Sequence, residues 1–208
     1  GIIVPMVKTA EEVQKAVDAV KYPPVGSRGV GLARAQGYGA DFERYKQWIN
    51  QGSEVIVQIE HIDAVKNLEE IFLVNGINGY IIGPYDLSGS MGKPGQFEDE
   101  DVMQVILDIK AIAKKMNMPG GIHIVEPNLD ELSHRIKEGY EFIAYSVDTR
   151  MLDVSCRQGM KIVKEEVNER DCCHTVLRAS LHVFPPGVAN PSKSPPVVCS
   201  GCVFHRIC

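Results

Sequence analysis

The chain has 208 residues, enough for one well-buried domain and too few for two comfortable ones. Its composition is that of a soluble globular enzyme, 44% hydrophobic and 24% charged, and a net charge of −5 gives no general reason for nucleic acid or an anionic membrane as partner. No apolar run approaches the roughly 18–20 residues that a transmembrane helix needs.

The opening GIIVPMVKTAEE resembles neither a signal nor a transit peptide and reads as a strand already inside a fold, so the N-terminus is expected to be cut rather than native. Up to about Val167, short apolar runs alternate with amphipathic stretches. The runs are Ile2–Val7, Val55–Glu60, Gly79–Gly83, Gly121–Val125 and Phe142–Val147, near-continuously apolar as parallel strands covered on both faces should be. Thr9 and Glu12 have capping-box spacing, and Val13, Ala16, Val17 and Val20 then fall on one helical face. Pro23-Pro24 stops that helix. Asn67 and Glu70 repeat the capping pattern, and Val102, Val105, Ile106, Ile109 and Ala113 form the stripe of a longer helix. Asn128 with Glu131 starts another, and Gly139 stands where a C-terminal cap glycine belongs. Five strand–helix units predict an α/β fold with a parallel sheet, either doubly wound or a barrel. No GxGxxG follows a strand, so a dinucleotide fold has little support.

Two strand ends carry polar residues that a buried sheet does not want. In Val55–Glu60 the pleat puts Ile56, Gln58 and Glu60 on one face. A Gln and a Glu there are costly unless paired, hydrogen-bonded or bound to a metal. A solvated strand end with a structural ion pair is the plain alternative. The run Tyr80–Ser88 again places a carboxylate, Asp86, at the C-terminal edge, the end where α/β active sites sit. Two carboxylates converging from neighbouring strands make a hard oxygen site suited to Mg²⁺ or Mn²⁺. An acid–base pair for glycoside chemistry has the same residues, with nothing else pointing to a sugar ring.

VPMV (4–7), YPPVGSRGVG (22–31), VQIE (57–60), GPYDLSGSMG (83–92) and VDT (147–149), in this order and spacing, resemble the HpcH/HpaI aldolase family over about residues 1–167. The resemblance implies a TIM-type (β/α)₈ barrel of which this chain holds the last five units, with a C-terminal helix exchanged in a homo-oligomer. It implies a cytoplasmic lyase that cleaves 4-hydroxy-2-oxo acids, including 2-keto-3-deoxy sugar acids, to pyruvate and an aldehyde, without nucleic acid or membrane as partner. Carried over residue by residue, Glu60 and Asp86 match the metal ligands, for Mg²⁺, Mn²⁺ or Co²⁺. Gln58 matches a catalytic glutamine beside the metal and its substrate. Tyr85 stands where a backbone N–H, with that of Asp86, holds the substrate carboxylate; the family usually has a small residue there. Arg28 matches a recurring arginine with no catalytic role asserted, equally readable as shaping its loop. The family's catalytic His, its acid partner and a pyruvate-binding Arg come from the first three strands, which this sequence does not include. Neither His61 nor His123 is expected to replace the base, and His123 reads as a core histidine. Aldol cleavage needs an electron sink, a lysine Schiff base or a metal. Lys8 is the lysine placed for the first, and the resemblance implies the second. Weak activity from this chain alone is therefore expected, and a non-catalytic metal-binding fragment or subunit is the alternative. A citrate-lyase or malyl-CoA-lyase activity is a further one, with no clear CoA-binding feature.

Residues 168–208 change character: after Asp171 there is no Asp or Glu, and Pro185-Pro186, Pro191 and Pro195-Pro196 break any helix. The end, Cys199-x-x-Cys202-x-x-His205-x-x-Cys208, offers four soft ligands for zinc at tight spacing. A disordered or non-native tail is the expected reading.

Overall fold

The computed structural model describes residues 1–169, with side-chain surroundings up to residue 164; the Cys/Pro-rich tail and its proposed zinc ligands lie outside the described residues. Gly1–Val154 forms one compact unit, and a second begins at Ser155. The strands are β1 (Ile2–Val4), β2 (Val55–Ile59), β3 (Gly79–Ile82), β4 (Gly120–Ile124) and β5 (Phe142–Tyr145). They pair in parallel in the order β1-β2-β3-β4-β5. A doubly wound sheet reverses its strand order at a switch point. Strict succession without reversal is what a barrel requires, so the sheet is an arc of five barrel strands.

The helices are α1 (Ala10–Val20), α2 (Phe42–Gln51), α3 (Ile62–Lys66), α4 (Leu68–Phe72), α5 (Pro84–Ser90), α6 (Glu100–Lys115), α7 (Leu129–Lys137) and α8 (Asp148–Glu169), with a 3₁₀ segment at Arg34–Gly39. The described part of the second unit, residues 155–169, continues α8. No helix among the described residues is long and apolar enough to cross a membrane.

Each strand presents one parity to the helices. Val57 and Ile59 of β2 are fully buried with Tyr80, Ile82 and Ile122 from the neighbouring strands under Val13 of α1 and Ile109 of α6, and Val55 is buried with Val17 and Val20 of α1. The stripes read from sequence bury as expected at Val13, Val17 and Val20, and at Val102, Ile109 and Ala113. Each fully buried aliphatic side chain contributes roughly 1.5–3 kcal/mol relative to exposure.

Three local readings change. β1 stops at Val4, not Val7, because Pro5 has no N–H for the ladder and Met6 turns to φ 55°. The Thr9 hydroxyl accepts from the Glu12 N–H as a cap should, but Glu12 reaches back one residue further, accepting from the Lys8 N–H at 2.7 Å. Asn67 stands at the N-cap of α4 without a side-chain cap bond; its amide donates instead to the Lys8 carbonyl at 2.9 Å, tying the β1–α1 connection to α4.

Candidate active site at the carboxyl ends of the strands

Glu60 follows the last residue of β2 and is 3% exposed. Its carboxylate is held at both oxygens. Oε1 accepts from the backbone N–H of Met6 at 2.8 Å, and Oε2 accepts from the Gln58 side-chain amide at 2.6 Å. Gln58 lies two residues earlier on the same pleat face, so the strand itself sets this contact. Burial pushes the Glu60 carboxyl above the ordinary carboxylate range; the Met6 N–H and Gln58 oppose the rise, and the charge of Asp86 adds to it.

Asp86 arrives from the next strand. After β3, Gly83 and Pro84 end the ladder, and Pro84 at the first helical position starts α5. This puts Asp86 in the first turn, exposed, close enough for its charge to act on the Glu60 carboxyl. Gly83 at the N-cap has no side chain to accept from the helix, and Pro84 has no N–H. The first amides of a helix lack intrahelical partners, so the N–H groups of Tyr85 and Asp86 are the donors this turn presents. Gly83 also keeps the space open. A Cβ there would lie 2.7 Å from Glu60 Oε2 and 2.9 Å from Gln58 Nε2.

Gln58 and Glu60 are thus in direct contact, Asp86 lies beside Glu60, and Tyr85 precedes Asp86 in the first turn of α5. Among the described residues no group of three or more His, Cys, Asp or Glu is assembled. Two carboxylates and an amide are a donor set that suits Mg²⁺ or Mn²⁺, ions that complete their shells with water and substrate. A buried carboxylate raised by burial and by a second carboxylate beside it is the electrostatic situation a divalent cation relieves.

Tyr85 is braced from behind. Ser88, fully buried, donates from Oγ to the Tyr85 carbonyl at 2.8 Å, and the same oxygen accepts the Gly95 N–H at 3.1 Å. The Tyr85 ring meets Phe97 edge-on, with centroids 4.6 Å apart.

The other candidates fall elsewhere. His61 caps α3, its Nδ1 accepting the Asp63 N–H at 3.1 Å. His123 is half-buried rather than in the core and lines a cavity of about 1080 Å³ over β4 beside α6 and α7. That cavity meets the carboxylate site only through Pro84 and Tyr85. Lys8, the candidate Schiff-base lysine, sits in the β1–α1 connection. Arg28 lies over the rings of Tyr22 and Tyr45, and its Nη2 donates to the Tyr45 hydroxyl at 3.2 Å, the loop-shaping arrangement. The donor that sequence reasoning missed is the Met6 N–H. Its one available signal was Pro5, which breaks the strand two residues before the apolar run ends.

The family described as HpcH/HpaI aldolase/citrate lyase matches residues 1–153. The chain is 41% identical over 152 residues to the hydroxypyruvate/pyruvate aldolase of Sagittula stellata, covering 73% of this chain and 59% of that protein. It is 35% identical over 167 residues to the 2-keto-3-deoxy-L-rhamnonate aldolase of Klebsiella pneumoniae, covering 79% and 61%. Among solved structures, the HpcH/HpaI aldolase/citrate lyase family protein of Burkholderia cenocepacia superposes with a TM-score of 0.71 at 28% identity, covering 78% of this chain and 64% of that one. The chain spans about three-fifths of the length of the curated relatives it matches.

Proposed function

The chain belongs to the HpcH/HpaI aldolase/citrate lyase family, and on that premise we propose that it carries the metal-binding part of a lyase cleaving 4-hydroxy-2-oxo acids, 2-keto-3-deoxy sugar acids among them, to pyruvate and an aldehyde. The observation that carries this reading is the buried Glu60 carboxylate, fixed at both oxygens and set beside Asp86. Glu60 and Asp86 would hold Mg²⁺, Mn²⁺ or Co²⁺, which when bound supplies Lewis-acid polarisation of the 2-oxo group.

The remaining roles fall to the chain's own groups. The N–H groups of Tyr85 and Asp86 hold the substrate carboxylate at the first turn of α5. Only backbone is used, so a tyrosine serves where relatives have a small residue. Gln58 orients Glu60 beside the substrate, and Gly83 leaves these two side chains the room they need. Relatives named for hydroxypyruvate/pyruvate, 2-keto-3-deoxy-L-rhamnonate and 4-hydroxy-2-oxo-heptane-1,7-dioate all act on 2-oxo acids. That shared end is the one these amides are proposed to grip. The proton of the substrate's 4-hydroxyl needs a base, and His61, engaged as a cap, does not supply it. We assign the base to the histidine that the resemblance puts in an earlier barrel strand. Self-association and a cytoplasmic setting belong to the same proposal. Leu152, Met160, Ile162 and Val163, exposed along α8, support the first, and a lone cysteine before residue 170 supports the second.

Mn²⁺ titration of the chain against the Glu60→Ala/Asp86→Ala variant tests the site: binding is expected in the first and absent from the second, with circular dichroism showing both folded. Equal binding would overturn the ligand assignment. A pyruvate-coupled assay tests the reaction. Little turnover is expected from this chain alone, and metal-dependent pyruvate release once a family-like segment of roughly 80–100 residues, about three βα units, precedes it. Silence from the completed chain would favour the non-catalytic reading.

A further inference from the structure

Among the described residues, Met6 is one of four non-glycine residues with positive φ, at 55°. That region is disfavoured for a side chain with a Cβ, and an observed outlier of this kind is a reason to look for function. Packing does not hold Met6 there, since its side chain is 46% exposed. Its neighbours do. Val4 is paired in β1 with Val57, and Val7 is buried in the core. Lys8 is then pinned twice, its N–H to Glu12 and its carbonyl to Asn67. Between these anchors the chain must turn, and the turn chosen sends the Met6 N–H 2.8 Å to Glu60 Oε1, across 54 residues of sequence.

We propose that the Met6 backbone N–H is a positioning group for the Glu60 carboxylate, and that the left-handed turn at Met6 exists to deliver it. Gln58 holds Oε2 and Met6 holds Oε1, so the plane of the carboxylate is fixed with one donor on each oxygen. Each oxygen of an ionised carboxylate has two lone pairs. One per oxygen therefore stays free for a divalent cation shared with Asp86. The inference rests on the reading of Glu60 as a cation ligand. It adds that the ligand is oriented from the turn after β1, by a backbone N–H that no substitution except proline removes. Groups that orient a metal ligand typically change metal affinity 10–100-fold when lost.

The test replaces methionine 6 by its α-hydroxy acid analogue in the full chain, turning the N–H into an ester oxygen, and measures Mn²⁺ affinity by the electron paramagnetic resonance of free Mn²⁺. The ester form is expected to bind at least about tenfold more weakly. Met6→Ala and Met6→Gly, which keep the N–H, should stay within about twofold of the unaltered chain on the same reasoning. Ester and unaltered chains of equal affinity would overturn the proposal and leave the metal site standing. No Mn²⁺ binding by the unaltered chain would overturn both. A second measurement avoids backbone chemistry. In [¹⁵N]methionine-labelled protein, Mg²⁺ should shift the Met6 amide resonance, assigned by its loss in Met6→Ala, and should fail to shift it in Glu60→Gln. A Met6 amide unmoved by Mg²⁺ in the chain that binds it would refute the role.

Discussion

Adding one methyl group at Gly83 should separate metal binding from folding. An alanine Cβ would lie 2.7 Å from Glu60 Oε2, 2.9 Å from Gln58 Nε2 and 3.0 Å from Glu60 Cβ, against about 3.5 Å for an unstrained non-bonded pair. The backbone at 83, φ −101° and ψ 91°, is open to alanine, so the strain is steric alone. It is also held, its N–H donating to the Ile59 carbonyl and its carbonyl accepting from Leu87. The side chains must therefore give way, and the Gln58–Glu60 bond is the nearest thing to yield. A hydrogen bond to a charged group is worth about 1.5–3 kcal/mol, and each 1.4 kcal/mol is about tenfold in affinity. Gly83→Ala should thus weaken Mn²⁺ binding by about 10–100-fold. Stability should change less, because overpacking costs about 1–3 kcal/mol while a Gly→Ala change at a permitted conformation returns about 0.4–1. Mn²⁺ titration and urea unfolding of the same samples read the two effects separately. Gly89→Ala is the control, in α5 with nothing within 4 Å of its Cβ, and should leave the affinity unchanged. Unaltered Mn²⁺ affinity in folded Gly83→Ala would refute the packing described around Glu60.

Two tyrosines give further expectations. Burial pushes the Tyr80 hydroxyl up to about 12, so above pH 10 the unfolded chain loses this proton first. Stability from the neutral form is then complete below about pH 10 and falls by about 2–3 kcal/mol as pH rises toward 12. Tyr80→Phe should flatten that slope in unfolding titrations, and an unchanged slope would show the hydroxyl to be solvated. Tyr140 is also raised, chiefly by burial and then by Tyr80 and Glu138, and its hydroxyl is buried with no partner. Tyr140→Phe should raise stability at neutral pH by about 1 kcal/mol; a loss in chemical denaturation would mean the hydroxyl has a partner after all.

The barrel arc was legible because its cause is periodic. Five apolar runs and the stripes at Val13–Val17–Val20 and Val102–Ile109–Ala113 follow directly from burial. The carboxylates were legible because charge at the end of a buried strand is costly, and Glu60 is as buried as that argument needs. What stayed hidden was set by backbone and by competition. Phe42–Gln51 forms α2 although its single buried residue, Ile49, leaves no stripe to read. GPYDLSGS looks like the end of a strand until Gly83 and Pro84 convert it into the start of α5. Asn67 has a cap residue's chemistry, yet the Lys8 carbonyl takes its amide. Met6 donates through an atom that every residue but proline possesses, so no residue type could announce it.

The Ser88 hydroxyl carries a lesson for anyone rebuilding this site. One buried oxygen joins the Tyr85 carbonyl to the Gly95 amide, so the turn that presents the Tyr85 and Asp86 amides and the segment from Gly92 to Asp99 form a single mechanical piece. Grafting a different loop around Gly95 would transmit its new shape to the first turn of α5, where Asp86 stands. A graft that preserves the bond from the Gly95 amide to Ser88, and Phe97 against Tyr85, is the one that would leave that turn in place.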